Sequence, residues 1–356
     1  MHRRAPLAVL LVGVLSSPAF PAPQPPASEP TGFEEEITVA LSTLTVRVVD
    51  GLGNPVTGLG PTDFRVRIGG REVPVAAVDW SSSEEGKSVP VPFLPAPGPR
   101  EPETARPPGQ LVVFFVQADL NPTRISDQLR LRPYTRELLD RLHPADLAAV
   151  VSFDSHLKLW QDFTRDRDAV YTALDRAMIW TEEAEEPGEA GIARAEAEIS
   201  LARGFNAADA RRAASPERAL EVTARALVPL SGEKSVVYLG WGLGRFTSAG
   251  VQMTPAYAPA VRALSAAHAS VFVLDVTSAD FHSLEIGLQA VAAATGGTYA
   301  KTNVLPGLAT AALTRTLSGY YVLTLDQGEV AAAKGAVRID LRDRPGTVLA
   351  RPVTVR

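Results

Sequence analysis

The segment Leu111-Val-Val-Phe-Phe-Val116, followed directly by Gln117-Ala-Asp-Leu-Asn-Pro-Thr123, decides the fold. The first part is a short apolar run of Leu, Val and Phe, which predicts a buried strand. The second part has polar side chains at every second position and contains a proline, which predicts a loop. Similar apolar runs follow at Leu147–Phe153, Ser235–Leu239 and Ala269–Leu274. The chain therefore contains a series of short buried strands.

Helical patterns lie between these strands. Residues Arg132–Leu142, Arg167–Ile179 and Pro259–His268 are predicted helices, and Ser215-Pro-Glu217 begins another with a serine N-cap and a proline in the first turn. Strands that alternate with helices predict right-handed βαβ units. We therefore expect an α/β fold with a mostly parallel sheet over residues 110–317.

One segment interrupts this alternation. Residues 181–214 are rich in Ala, Glu and Arg and lack a strong apolar stripe. A helix without an apolar face has nothing to bury against a sheet. We expect a solvated helical excursion or a partly disordered insertion.

A different pattern precedes the α/β region. Apolar and polar residues alternate over Ile37–Val48 and again over Asp63–Ile68, and Gly69-Gly70 follows as a hairpin turn. This pattern predicts a small antiparallel β-sandwich unit, of immunoglobulin-like type, over residues 37–80. The proline-rich residues 81–109 predict a stiff linker between the two parts.

The C-terminal residues 318–356 contain three more predicted strands and no helical crossover between them. Their alternation matches that of residues 37–78. We therefore expect at least some of these strands to pack against the N-terminal β unit, so that the α/β region is an insertion in it.

Residues 1–22 are predicted to be a secretory signal peptide. Two arginines give a positive start, Leu7–Leu15 is an apolar run, and Pro18–Ala22 is a small-residue exit. This run is shorter than the about 20 residues that span a bilayer, and no other segment is long enough. We expect a secreted or periplasmic protein with no membrane span in the mature chain and a flexible leader over residues 23–36.

Composition excludes several classes of protein. The chain has no cysteine, so neither a disulfide framework nor a lipid-modified cysteine is possible. Its net charge is −5 and it has no basic cluster, which argues against nucleic acid as a partner.

Several phrases occur in an order typical of one protein family. They are Val46–Val56, Leu142–Phe153, Gln161–Thr164, Ala290–Tyr299 and Leu317–Tyr321. Together they span most of residues 40–325 and resemble the bacterial secreted VWFA-related family of acidobacterial type, which contains a von Willebrand factor A-like domain. The resemblance implies a doubly wound, mostly parallel sheet of the Rossmann type that is flanked by helices, with any ligand at the carboxyl ends of the strands.

The same resemblance implies a place for Mg²⁺, since A domains hold that ion with a D-x-S-x-S loop, a Thr from a second loop and an Asp from a third. In one register the first-loop positions fall on Gln117, Asp119 and Asn121. In the other they fall on Asp119, Asn121 and Thr123. The first register fits the strand length better, because Gln117 follows the apolar run directly. Asp119 has a simpler alternative role as a turn residue that caps its loop.

The third loop lacks its carboxylate, because the usual Ser-Asp-Gly is replaced by Gly240-Trp-Gly242. We therefore expect a degenerate metal-ion-dependent adhesion site with no metal and no other cofactor. If Trp241 is exposed between its glycines, it suits contact with a protein or glycan. Asp275 is the best-placed spare carboxylate at the same edge, or else a loop anchor.

The sequence thus favours an exported, non-catalytic interaction module that binds a protein or glycan ligand at the upper face of the sheet without metal. The candidate ligand-binding residues are Gln117, Asp119, Asn121, Thr123, Trp241 and Asp275. One alternative is Mg²⁺-dependent adhesion through Asp119, Asn121 and Thr123. A second alternative is an exported hydrolase with a triad assembled across the fold.

The signal peptide leads to the first testable prediction. The mature protein should begin between about Phe20 and Ala27, because the small-residue exit ends there. Intact-mass measurement of the exported protein gives the first residue directly. Exported material that retains Met1 would contradict the prediction.

Overall fold

The strand that begins at Leu111 lies in the middle of a six-stranded sheet. The computed structural model describes residues 42–82, 109–119, 121–179, 199–248 and 250–355. The predicted signal peptide and leader lie outside the described residues, as do residues 83–108 of the predicted linker and residues 180–198.

The strands, in chain order, are β1 (Ser42–Val49), β2 (Phe64–Ile68), β3 (Arg71–Val73), β4 (Val75–Ser82), β5 (Leu111–Gln117), β6 (Leu147–Phe153), β7 (Leu157–Thr164), β8 (Lys234–Gly240), β9 (Arg245–Thr247), β10 (Gly250–Gln252), β11 (Ala269–Asp275), β12 (Tyr299–Lys301), β13 (Gly319–Leu325), β14 (Gly335–Leu341), β15 (Thr347–Ala350) and β16 (Thr354–Val355). The α-helices are α1 (Pro122–Leu129), α2 (Arg132–Asp140), α3 (Arg167–Met178), α4 (Ala207–Arg211), α5 (Pro216–Leu227), α6 (Tyr257–Ala266), α7 (Glu285–Thr295), α8 (Pro306–Leu317) and α9 (Gln327–Ala331). Single turns of 3₁₀ helix occupy Pro61–Asp63 and Ala202–Gly204.

The six-stranded sheet has the order β12-β11-β8-β5-β6-β7. Neighbouring strands are parallel except for the edge pair β6 and β7, which is antiparallel. Every residue of β5 is buried, because alternate side chains enter apolar clusters on opposite faces of the sheet. This explains why the strand is a continuous apolar run and confirms the mixed α/β expectation.

Helices cover both faces of this sheet. Residues of α5, α6 and α7 pack on one face, and residues of α2, α3 and α8 pack on the other. Within the part of the chain that the structure describes, no helix has the length and apolar character needed to cross a membrane.

Two four-stranded sheets contain the remaining long strands, in the orders β15-β1-β13-β4 and β16-β14-β2-β3. Strand β13 lies between β1 and β4 and is antiparallel to both, with Val46 opposite Tyr321. Strand β14 is antiparallel to β2. One apolar cluster, which includes Val66, Tyr321 and Leu323, draws its members from both sheets. Strands from the N-terminal and C-terminal parts of the sequence therefore share one core.

A buried ionic network joins these sheets to the six-stranded sheet. Arg47 on β1 donates to Glu233 Oε1 at 3.0 Å, and also to Gln110 Oε1 and Ser235 Oγ, both at 3.1 Å. Arg351 donates to the same Glu233 oxygen at 3.0 Å. The side chains of Arg47 and Glu233 are only 3% and 4% exposed, so one buried carboxylate neutralises part of the charge of two arginines.

The described part of the predicted insertion differs from the expectation. Residues 199–214 do not leave the core, since Leu201 and Ala213 are fully buried in it. Asp162 at the edge of the sheet accepts hydrogen bonds from Leu201 N at 2.6 Å and from Ser200 Oγ at 2.5 Å. Ala210 and Ala213 are buried in the same core, and such small side chains do not produce the strong apolar stripe that predicts a buried helix.

The ionic network gives a stability prediction. Glu233→Gln should lower the free energy of unfolding by about 3 kcal/mol, because Arg47 and Arg351 would lose their shared counter-charge in a buried place. Chemical denaturation followed by circular dichroism measures the loss.

The control is Asp340→Asn, which removes the partner of Arg67 in an ion pair whose side chains are 51% and 43% exposed. That variant should change the free energy by less than about 1 kcal/mol. Equal losses in the two variants would show that the buried network stabilises no more than a surface pair does.

Candidate functional site

A cleft of about 450 Å³ opens where β5, β6 and β8 end. Its walls come from the residues after β5, the turn between β6 and β7, the start of α5 and the Gly240–Gly244 loop after β8. Carboxyl ends of neighbouring parallel strands are the usual ligand position in open α/β sheets. The cleft is therefore the first candidate for a functional site in this chain.

Gln117 joins the first loop, which follows β5, to the third loop, Gly240–Gly244, which follows β8. Its side-chain oxygen accepts hydrogen bonds from Tyr238 Oη at 3.0 Å, Trp241 N at 2.9 Å and Gly242 N at 3.1 Å. Its backbone oxygen accepts a further bond from Gln128 Nε2. Burial, and then the charges of Glu217 and Asp275, raise the pKa of Tyr238 well above its ordinary value, so the phenol stays neutral and donates.

The glycines of the third loop follow from this close approach. A Cβ atom on Gly240 would lie 2.6 Å from Gln117 Oε1, and one on Gly242 would lie 2.6 Å from Leu284 Cβ. Any larger residue would push the loop away from Gln117 and from the helix that follows β11. The glycines thus serve close packing.

Trp241 is only partly exposed, which differs from the exposure expected between two glycines. Its ring packs against the apolar cluster on one face of the sheet, and the Arg124 guanidinium lies 4.8 Å from its centre. Its indole Nε1 is buried and makes no hydrogen bond to the described residues. The ring forms part of the cleft wall rather than a protruding contact.

Asp119, Asn121 and Thr123, the ligand positions of the second predicted register, form hydrogen bonds to one another within their own loop. Asp119 Oδ1 accepts from Asn121 N at 3.0 Å, and Asn121 Oδ1 accepts from Thr123 N at 2.9 Å, which makes Asn121 the N-cap of α1. Asp119 lines the cleft, whereas Asn121 and Thr123 are exposed beside it and do not line it. The structure therefore brings together Gln117, Asp119 and Trp241 but not the full set of candidates.

Asp275 lies outside the cleft and anchors the loop after β11. Its Oδ1 accepts from Thr277 N at 3.0 Å, its Oδ2 accepts from Tyr299 Oη at 2.7 Å, and His282 Nε2 lies 2.7 Å from the same Oδ2. Burial, and then the bond to Asp275, raise the pKa of Tyr299 well above its ordinary value. These contacts correspond to the loop-anchor alternative for Asp275.

The Asp275 region also brings three possible metal ligands together. One ligand atom each from Asp275, His282 and Glu285 lies within 4.8 Å of the others. Lys301 Nζ, however, lies 2.6 Å from Glu285 Oε2 and supplies a cation to the cluster. Because its carboxylates already accept these donors, the cluster is explained as a hydrogen-bonded network.

A consecutive Asp-Ser-His segment lies in the turn between β6 and β7. Ser155 Oγ lies 3.0 Å from His156 Nδ1, and Asp154 Oδ1 lies 3.9 Å from the same ring nitrogen. A catalytic triad needs the serine and the carboxylate on opposite ring nitrogens, so that the imidazole can relay a proton. This segment lacks that arrangement, and Asp154 is instead paired with Lys158 at 2.7 Å.

Sequence reasoning missed several contacts around the site. Arg124 donates to Thr277 Oγ1 at 2.9 Å, and Asp127 accepts hydrogen bonds from Ser278 N and Ser278 Oγ. These bonds tie α1 to the loop after β11. No local pattern indicated them, because the partners are more than 150 residues apart in sequence.

Comparison with known proteins gives little further information. No protein-family model matches the chain, and no curated protein matches it. Several solved structures match at low identity. A conserved hypothetical protein BatB from Bacteroides thetaiotaomicron is 14% identical with a TM-score of 0.37, and the match covers 59% of this chain and 97% of that chain.

A von Willebrand factor type A protein from Catenulispora acidiphila is 11% identical with a TM-score of 0.38, over 89% of this chain and 73% of that one. The human COPII-coat protein Sec24c is 10% identical with a TM-score of 0.42, over 70% of this chain and 44% of that one. At these identities and TM-scores, the similarity assigns neither a family nor a function.

The role of Gln117 can be tested by mutation. Gln117→Ala should lower the free energy of unfolding by about 2–4 kcal/mol, because Tyr238 Oη and two backbone N–H groups would lose their acceptor. Gln117→Glu keeps an acceptor oxygen but buries a carboxylate without a counter-ion, so it should also destabilise the protein. The exposed Gln252→Ala is the control, with an expected change within about 0.5 kcal/mol. If Gln117→Ala unfolds at the same denaturant concentration as the control, the proposed junction of the loops is wrong.

Proposed function

We propose that this chain is a non-catalytic interaction module of the von Willebrand factor A type, which binds a protein or glycan ligand in the cleft above β5, β6 and β8 without a metal ion. We also propose that it acts in the periplasm or outside the cell, on the basis of the predicted signal peptide over residues 1–22. As part of the same proposal, we expect that the protein catalyses no reaction.

The hydrogen bonds of Gln117 carry the metal-free part of the proposal. In a Mg²⁺ site, oxygen ligands from separate loops converge on the ion. Gln117 occupies the first ligand position of the first register, and its side-chain oxygen already accepts three hydrogen bonds. Two of them come from backbone N–H groups of the third loop. The loops that a cation would bridge are therefore bridged directly, and the third loop offers no side-chain oxygen in its place.

The walls of the cleft suit a polar ligand that also carries apolar surface. Asp119, Asp154 and Ser155 supply oxygen acceptors, while Phe153 and Trp241 supply aromatic surface. Protein side chains and sugar rings combine hydrogen-bond donors with apolar faces in this way. Binding sites are usually concave and combine a few polar groups with apolar walls.

The site can be blocked without disturbing the core. Ala214 is exposed and lines the cleft, so Ala214→Trp should fill part of it with little effect on folding. Immobilised full-length protein would be exposed to solubilised envelope and secreted material from the organism that encodes it, with and without EDTA. The proposal expects a retained ligand that is insensitive to EDTA and is lost with Ala214→Trp.

The matched control is Ala208→Trp, an exposed alanine on α4 that does not line the cleft. This variant should retain the same ligand as the unmodified protein. Equal retention by Ala214→Trp and Ala208→Trp would place binding elsewhere and contradict the cleft assignment.

Metal independence has a separate test. A ligand that binds only the folded state raises the melting temperature as its concentration exceeds its dissociation constant. Millimolar Mg²⁺ should leave the melting temperature unchanged, and Asp119→Ala should be equally insensitive. A rise with Mg²⁺ or Mn²⁺ that disappears in Asp119→Ala would favour the alternative, metal-dependent adhesion through Asp119, Asn121 and Thr123.

A further inference from the structure

A second cavity lies at the other end of the six-stranded sheet, where β8 and β11 begin. Its volume is about 390 Å³, and its lining includes Lys234, the first residue of β8, and His268, which directly precedes β11. The antiparallel sheets form the opposite wall. The apolar part of the lining includes Leu44, Val228, Leu230, Val322, Val337 and Ile339.

Lys234 is an unusual residue for such a wall, because it is only 4% exposed. An ammonium group has three N–H donors. Within the described residues, Lys234 Nζ donates one hydrogen bond, to Gly232 O at 3.3 Å, and forms no ion pair. A buried cation that lines a cavity with donors to spare favours a ligand that brings an acceptor and a negative charge.

The charges around Lys234 add up in the same direction. Arg47 and Arg351 both contact Glu233, so two buried or half-buried arginines share one carboxylate beside Lys234 at this end of the sheet. Arg351 and Glu233 line the cavity together with Lys234.

Burial lowers the pKa of the two weaker bases that line the cavity. For Lys234, the charge of Glu233 opposes this shift and the smaller effect of Arg351 adds to it. Burial, and then the charges of Arg351 and Lys234, lower the pKa of His268. A negative charge placed between these groups would favour their protonated forms.

We propose that this cavity binds a carboxylate with an unbranched apolar tail, in the class of medium-chain fatty acids, with the carboxylate at Lys234 and Arg351 and the tail along the apolar wall. The volume of about 390 Å³ has room for roughly a dozen groups the size of a water molecule, at about 30 Å³ each. Decanoate has about that many non-hydrogen atoms. This site is independent of the cleft at the carboxyl ends of the strands.

The ligand class can be tested on the full-length protein with decanoate and with decyltrimethylammonium, which has a tail one carbon longer and the opposite charge. Isothermal titration should show saturable one-to-one binding of decanoate, and decanoate should raise the melting temperature. Octanoate is two methylenes shorter and should bind roughly fifteenfold more weakly, because each methylene contributes about a fourfold change in affinity. Decyltrimethylammonium should not bind saturably.

Two variants locate the binding in this cavity. Lys234→Met keeps the length of the side chain and removes its charge, and should weaken decanoate binding about tenfold or more. The control Lys334→Met removes an exposed lysine that does not line the cavity and should bind decanoate as the unmodified protein does. Each variant is compared with its own ligand-free melting temperature, so a loss of stability does not affect the comparison.

Val353→Asp provides a second variant that does not alter a buried residue. Val353 lines the cavity and is 36% exposed, so an aspartate there should be tolerated and should repel the carboxylate. The proposal is overturned if decanoate shows no saturable binding or if decyltrimethylammonium binds as well as decanoate does. It is also overturned if Lys234→Met and Val353→Asp bind decanoate as tightly as Lys334→Met does.

Discussion

The side-chain oxygen of Gln117 is the contact on which the upper end of the α/β region depends. It lies at the end of the central strand β5 and accepts three hydrogen bonds from the end of β8 and the loop that follows. Because the amide is neutral, this junction needs no counter-ion, whereas a carboxylate buried there would need one. The junction in turn requires glycine at positions 240 and 242, and so fixes Trp241 in the wall of the cleft.

The two ends of the same sheet differ in charge. The cleft at the carboxyl ends of the strands is lined by Asp119 and Asp154, whereas the cavity at the amino ends is lined by Lys234 and Arg351. Charges focused in concave, poorly solvated places select ligands of opposite sign. The net charge of the whole chain, −5, conceals this separation. The two concave places therefore differ in the charges of their linings and lie at opposite ends of the buried strands.

Local signals in the sequence predicted local structure. The apolar runs became strands, Ser215 caps α5, and Gly296 ends α7 in the left-handed conformation with φ of 69°. Contacts between distant residues gave no such signal. The glycines beside Trp241 indicated exposure, but they serve close packing against Gln117 and Leu284. The network of Asp275 remained hidden as well, because Tyr299 reaches it from a strand 24 residues away.

The position of β13 has a consequence for how the chain is made. Strands β1 and β4 are not neighbours, and each pairs with β13, whose residues come more than 200 positions later in the sequence. A growing or translocating polypeptide therefore emerges with these strands unpaired and completes the sheet only after the whole α/β region has followed. Unpaired strand edges promote aggregation. The length of the intervening α/β region therefore sets how long β4 remains without its partner strand.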